Sequence, residues 1–135
     1  SNIGDVYLCG DLNSRCGMLS DRVEPLGLGR FVDLPDQDDQ PKDIPPRKSF
    51  DIHVNVFGHK LSSLCKEQDM VITNGRLEPG RFTCITTAGA SLVDYFITQE
   101  KNYTNIDELH VSDLSEFSDH CSLEIKLDIK FQQLP

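Results

Sequence analysis

Three short stretches place proton-handling or metal-binding side chains at the edges of apolar runs. In "DVYLCGDLNSR" the apolar run stops at a glycine, and Asp11 and Asn13 follow one residue apart. In "LVDYFI" a carboxylate, Asp94, interrupts a run that should be buried. In "FSDHCSLEIKL", Ser118, Asp119 and His120 stand just before an alternating strand. Burying a carboxylate without a partner is costly, so Asp94 needs a donor. His120 is the candidate, because a carboxylate fixes the imidazole tautomer and supports proton transfer. Asp11, Asn13 and Asp119 offer hard oxygen atoms suited to Mg²⁺ or to a water poised for attack. Each stretch also has a plainer reading. Asp-x-Asn after a strand is a common turn, "SDH" serves equally as a cap, and a buried Asp can pair with a backbone amide. The other histidines, His53, His59 and His110, read as surface or satisfied core groups.

These side chains need elements to hold them. Residues 5–10 read as a short buried strand with a glycine stop. Residues 14–50 show no sustained period and read as one irregular excursion, a surface loop in preference to a lid, of a length usually tied to function or mobility. Residues 54–68, "VNVFGHKLSSLCKEQ", follow helical spacing, with Val54, Phe57, Leu61, Leu64 and Cys65 on one face and Asn55 as N-cap. Strands are expected at 70–74, 81–86 and 91–98, the last two joined by the hairpin-like "TAGA". Another falls within 105–114. In "CSLEIKLDIKF" (121–131), Cys121, Leu123, Ile125, Leu127, Ile129 and Phe131 alternate with polar residues, so one face is buried and one is wet. The expected architecture is α/β, or α+β-like: one mainly antiparallel sheet of five or six strands, with helix packed on one face.

Bulk properties bound the function classes. A chain of 135 residues holds one domain, 1–135, and 38% apolar content supplies a core. No apolar run approaches the ~18 residues of a membrane span, and the polar start shows no signal-peptide pattern. The net charge of −9 argues against a general nucleic-acid-binding module. It leaves room for an enzyme that meets phosphates through a cation. Part of the excess is local: residues 33–43, "DLPDQDDQPKD", hold five Asp against one Lys. The five cysteines, Cys9, Cys16, Cys65, Cys84 and Cys121, are odd in number and widely spaced. They fit neither a disulfide framework nor a zinc site. They read as free thiols, mostly buried, in a reducing intracellular compartment, nuclear or cytoplasmic.

In order along the chain, "GDLNSR", "LSSLCKEQDMVITNGR", "RFT", "SLVDYFIT" and "FSDHCSLEIKL" resemble the C-terminal half of the endonuclease/exonuclease/phosphatase superfamily. Within it they resemble the apurinic-type endonuclease branch carried by non-LTR retrotransposons. The resemblance runs from about residue 5 to residue 129 and rests on five blocks in one order. It implies half of a four-layer DNase-I-like α/β sandwich and phosphodiester hydrolysis of DNA with Mg²⁺ or Mn²⁺. By this resemblance Asp11 matches the aspartate that orients or deprotonates the attacking water, and Asn13 the asparagine that positions the scissile phosphate. Asp94 matches the aspartate bonded to the catalytic histidine, and His120 that histidine. Asp119 matches the acidic residue beside it, near the metal, with Asp11 as the other metal-side carboxylate. Arg15, Phe82 and Thr83 fall in blocks that face substrate.

One departure is large. The family's first half supplies a metal-binding glutamate, and none of Glu24, Glu67, Glu78, Glu100, Glu108, Glu116 or Glu124 lies in a matching motif. The chain alone is therefore expected to be feeble or inactive as a nuclease. The apolar sheet face that the other half would cover is expected to recruit a partner. That partner is either the missing half or a second copy in a homodimer, with DNA bound by the assembled domain and no membrane involved. Two alternatives remain: a transposon-derived non-catalytic interaction or dimerisation module, which the acidic charge favours, and a phosphatase of the same superfamily.

Overall fold

The structure is a computed structural model, and it describes residues 4–23 and 44–128. The acidic stretch 33–43, Glu24 and the end of the last expected strand (129–131) lie outside the described residues. The middle of the structure is a three-stranded antiparallel sheet. β1 (Tyr7–Asp11) and β2 (Met70–Ile72) flank β5 (Asp94–Gln99) on either side. β5 is paired along both edges, which is why Tyr95, Phe96, Ile97 and Thr98 are all buried. Its alternation splits the core in two. Tyr95 and Ile97 join Cys16, Leu61, Cys65 and Ile72 beneath the helix, while Phe96 joins Ile106 and Leu109 on the opposite face.

The helix, α1 (Val56–Gln68), starts where Asn55, in extended geometry, accepts the Gly58 N–H on its side-chain oxygen at 2.7 Å. It ends at Asp69, whose left-handed backbone (φ 52°) returns its N–H to the Cys65 carbonyl. The buried stripe differs from the expected one. Gly58, Leu61, Ser62 and Cys65 face inward, while Val54, Phe57 and Leu64 remain substantially exposed. The small residues decide this. A Cβ at Gly58 would stand 1.8 Å from the Arg15 carbonyl oxygen, so the helix lies directly on the turn after β1 and rotates its large residues outward.

The expected single sheet of five or six strands is divided. β3 (Cys84–Thr86) and β4 (Gly89–Ser91) form a hairpin, and β6 (Ile106–Val111) and β7 (Leu123–Leu127) form a second two-stranded ladder. A short 3₁₀ helix, Glu100–Asn105, joins β5 to β6. The expected strand 91–98 breaks at Leu92–Val93, because the N–H groups of Val93 and Asp94 turn to the Thr83 hydroxyl and that of Leu92 to Asp51. In β7 the alternation holds. Leu123, Ile125 and Leu127 pack partly buried against Phe96, Ile106 and Leu109, and Glu124 and Lys126 are exposed. The class is thus mixed α and β with mainly antiparallel pairing. No helix among the described residues is long and apolar enough to cross a membrane.

Candidate functional site

The site begins with a register. Asp11, the last residue of β1, stands opposite Asp94, the first residue of β5. The next residue, Leu12, donates its N–H to Val93 at 2.9 Å. Asp11 and Asp94 are therefore a non-hydrogen-bonded pair, the closer of the two antiparallel spacings. Like charges directly opposite destabilise a sheet, so two carboxylates here call for a cationic group between them. His120 supplies it. Its Nδ1 lies 2.8 Å from Asp94 Oδ2, and its Nε2 lies 3.8 Å from Asp11 Oδ2. The Asp94 bond, then the charges of Asp94, Asp11 and Asp119, hold the imidazole pKa above its ordinary value, against slight desolvation.

His120 is delivered from a distant part of the chain. Cys84 and His120 face one another across a β-bridge. Ile85 donates to the Asp119 carbonyl at 2.8 Å and Cys121 to the Thr83 carbonyl at 2.7 Å. Asp94 is steadied from behind by the Thr83 hydroxyl, which accepts the Val93 and Asp94 N–H groups at 3.0 Å each. The Asn74 side chain adds to this by donating to the Asp94 carbonyl.

The turn beyond β1 is held just as firmly. Asn13 takes a left-handed backbone (φ 52°), and its N–H donates to Asp11 Oδ1 at 2.9 Å. Asn55 bonds three ways: its amide donates to the Asn13 carbonyl, and its oxygen accepts from Arg15 as well as from Gly58. Arg15 forms a fork on Asp51, 2.8 Å at each arm. Burial opposes ionisation of Asp51, but Arg15 and the N–H groups of Leu92 and His53 outweigh it and hold the carboxyl below its usual range.

Three of the five expected site residues, Asp11, Asp94 and His120, converge. Among the described residues they form the one group of three acidic, His or Cys side chains with ligand atoms mutually within 4.8 Å. Asn13 sits at the same turn as Asp11. Asp119 is outside the cluster and exposed, and it contributes its backbone carbonyl to the β3 bridge. Thr83 is fully buried with its hydroxyl turned to backbone N–H groups, so it positions Asp94 and has no surface to offer a substrate. Phe82 does line an open cavity of about 570 Å³, with Arg15, Phe50, Cys84 and Ser91, and it meets Phe50 edge-on at 6.0 Å. Arg15 lines the same cavity, but its charge is committed to Asp51.

No family model, no curated protein and no solved structure matches the chain. The resemblance thus stands on the five sequence blocks, and the chemistry of the site on its geometry. Sequence reading missed Asp51 and Asp21, both buried and ion-paired. Asp51 had a visible signal, since a lone Asp between apolar residues in "SFDIHV" needs a partner as much as Asp94 does. Nothing near Asp21 marks it in the same way.

As to a metal, Asp11 and Nε2 of His120 are free to offer ligand atoms, while Nδ1 is occupied by Asp94. A carboxylate and an imidazole suit Mn²⁺ or Mg²⁺ but fill only part of a six-position shell. The donor set fits such an ion incompletely.

Proposed function

We propose that this chain carries the phosphate-facing rim of a metal-dependent phosphodiesterase, a DNA endonuclease of the endonuclease/exonuclease/phosphatase type. The observation that carries the reading is the line Asp94–His120–Asp11, with one imidazole between two carboxylates at 2.8 and 3.8 Å. Asp94 accepts the Nδ1 proton, which leaves Nε2 directed to the open side next to Asp11. Protonated, Nε2 donates to a phosphate oxygen and offsets the charge that develops there. Asp11 accepts a proton from, or orients, the attacking water. The Asn13 side-chain amide, carried on that turn, can donate to a second phosphate oxygen. A divalent ion held beside Asp11 by that carboxylate would acidify a bound water and offset phosphate charge.

By the resemblance the metal-binding glutamate belongs to the family's other half, so the rim is expected to cleave only within a larger assembly, while Asp11 and His120 can still engage a phosphate through a bound ion. The test is nicking of supercoiled plasmid in Mg²⁺ or Mn²⁺. The chain alone should give little or no cleavage. Mixing with the N-terminal half of a related endonuclease should raise it, and Asp11→Ala or His120→Ala should abolish the gain. Cleavage by the chain alone, lost in both variants, would show the rim to be complete. No cleavage in either mixture would favour the second reading, a non-catalytic interaction module. The tie of Arg15 to Asp51 supports that second reading, because it neutralises a cation that lines the open cavity beside Phe82.

A further inference from the structure

Phe117 is 88% exposed, more than any other large apolar residue described. It occupies a two-residue turn, Glu116–Phe117, closed by a bridge between Ser115 and Ser118. Both legs of the turn are anchored. Ser112 donates to Ser122 at 2.9 Å and extends the β6–β7 ladder toward the tip. On the far leg the Ser118 hydroxyl accepts the His120 N–H at 3.1 Å, and His120 is bridged to β3. The Phe117 N–H is taken up by the Ser115 hydroxyl. The ring thus stands on a braced tip, three residues from the imidazole that faces Asp11. Three residues span at most about 11 Å.

The surroundings narrow what such a ring can meet. Ser115, Glu116, Ser118 and Asp119 are exposed and polar, and Leu114 is half-exposed. Within the turn, residues 114–119, Leu114 is the only other apolar side chain, so the turn itself presents no contiguous apolar patch of the kind that supports a protein interface. A single aromatic plane, open to solvent on a turn whose backbone is braced, suits one planar ligand, and stacking on it tolerates any base. The braced backbone of the turn lowers the part of the ordering cost that the chain itself would bear on binding.

We propose that Phe117 is a positioning residue for nucleic acid. It stacks on the unpaired base that flanks the phosphate held at His120 and so fixes which phosphate enters the site. The assignment rests on the phosphodiester reading of that site. It calls for a single-stranded or locally opened strand, because a base in an intact duplex already has both faces covered.

The test is binding of a short single-stranded DNA carrying one 2-aminopurine, followed by anisotropy and by 2-aminopurine fluorescence, in Ca²⁺ and in Mn²⁺. Wild type should bind in the presence of the ion and quench the fluorescence. Phe117→Ala and Phe117→Leu should each weaken binding roughly tenfold or more, the scale of one lost base–aromatic stack, and abolish the quench. Phe117→Trp should retain both. Retention of affinity by Phe117→Leu would overturn stacking, because leucine keeps apolar contact without the plane. Wild-type binding and quench in Phe117→Ala, with binding lost in Asp11→Asn and His120→Ala, would overturn the role of Phe117 and leave the phosphate reading intact. Failure of wild type to bind, unchanged by Asp11→Asn, would overturn both. A change of sedimentation in Phe117→Ala without a change in DNA affinity would reassign the ring to a protein contact.

Discussion

His120 answers to three carboxylates at once, and its titration reports the site directly. By NMR its pKa should lie above the ordinary ~6.5 and should fall in Asp94→Asn, the largest contributor. The sign for stability follows from the raised folded value. The contribution of the imidazolium is fully present below the unfolded pKa and is lost as pH rises through the folded one. Asp94→Asn should therefore flatten the dependence of stability on pH above the ordinary histidine value of ~6.5, read by thermal melts from about pH 6 upward. Manganese offers a readout independent of turnover. Added Mn²⁺ should broaden the His120 ring signals, and Asp11→Ala should remove the broadening. Sharp ring signals in saturating Mn²⁺ would speak against a metal on this pair.

At the scale of elements, the site depends on side chains that replace missing backbone pairing. Thr83 gives one hydroxyl to two N–H groups at the break before β5. Thr83→Val would strand both, at about 1–3 kcal/mol each, whereas Thr83→Ser should stay close to wild type in melting temperature. If Asp94 shifts as well, the His120 pKa falls in Thr83→Val and not in Thr83→Ser. Asn55 couples helix to turn. Asn55→Ala removes an N-cap worth ~1 kcal/mol and also two bonds to the Asn13–Arg15 turn. Its expected effect is loss of stability together with altered chemical shifts at Asp11. Gly58→Ala is the sharper probe, since its methyl group meets the Arg15 backbone instead of a movable side chain. It should destabilise more than the ordinary helix preference for alanine would gain.

For the whole molecule, two ion pairs on buried aspartates tie the irregular segments together and to the sheet. Asp21 takes a fork from Arg76 at 2.6 and 2.9 Å and the Ile72 N–H at 2.8 Å, with both side chains buried. Burial pushes the Asp21 carboxyl up, but Arg76, Ile72 and Arg47 together bring it below its usual value. Asp21 and Asp51 therefore stabilise the fold above the unfolded carboxylate pKa of ~3.9. That stability is lost as pH falls through their lower folded values. Asp21→Asn should cost about 3–5 kcal/mol, because it leaves the Arg76 guanidinium buried without its counter-charge. Urea titration at neutral pH and at pH 3 would show the difference shrinking in acid. The second core cluster is only partly covered at Tyr7, Leu123, Ile125 and Leu127. Association through that face should appear as concentration-dependent sedimentation, and a monomer at every concentration would count against it.

Local pattern in the sequence was enough to place the helix cap at Asn55, the alternation of β7 and the pairing of Asp94 with His120, while the hairpin expected between 81–86 and 91–98 closes earlier, between Cys84–Thr86 and Gly89–Ser91, and Asp94–Gln99 pairs in another sheet. Each rests on a period, a turn residue or a buried charge that must find a partner within a few neighbouring elements. The sequence did not determine which face α1 buries, because Gly58 and Ser62 carry no apolar signal and act only through the chain that lies against them. Nor did it reveal that the Asp119 carbonyl joins the bridge to β3, that Thr83 supports Asp94 from beneath, or that Asp51 pairs with Arg15. Those outcomes depend on which segments, dozens of residues apart, come into register. Register is a property of the folded chain as a whole, and a one-residue slip sends every side chain to the opposite face.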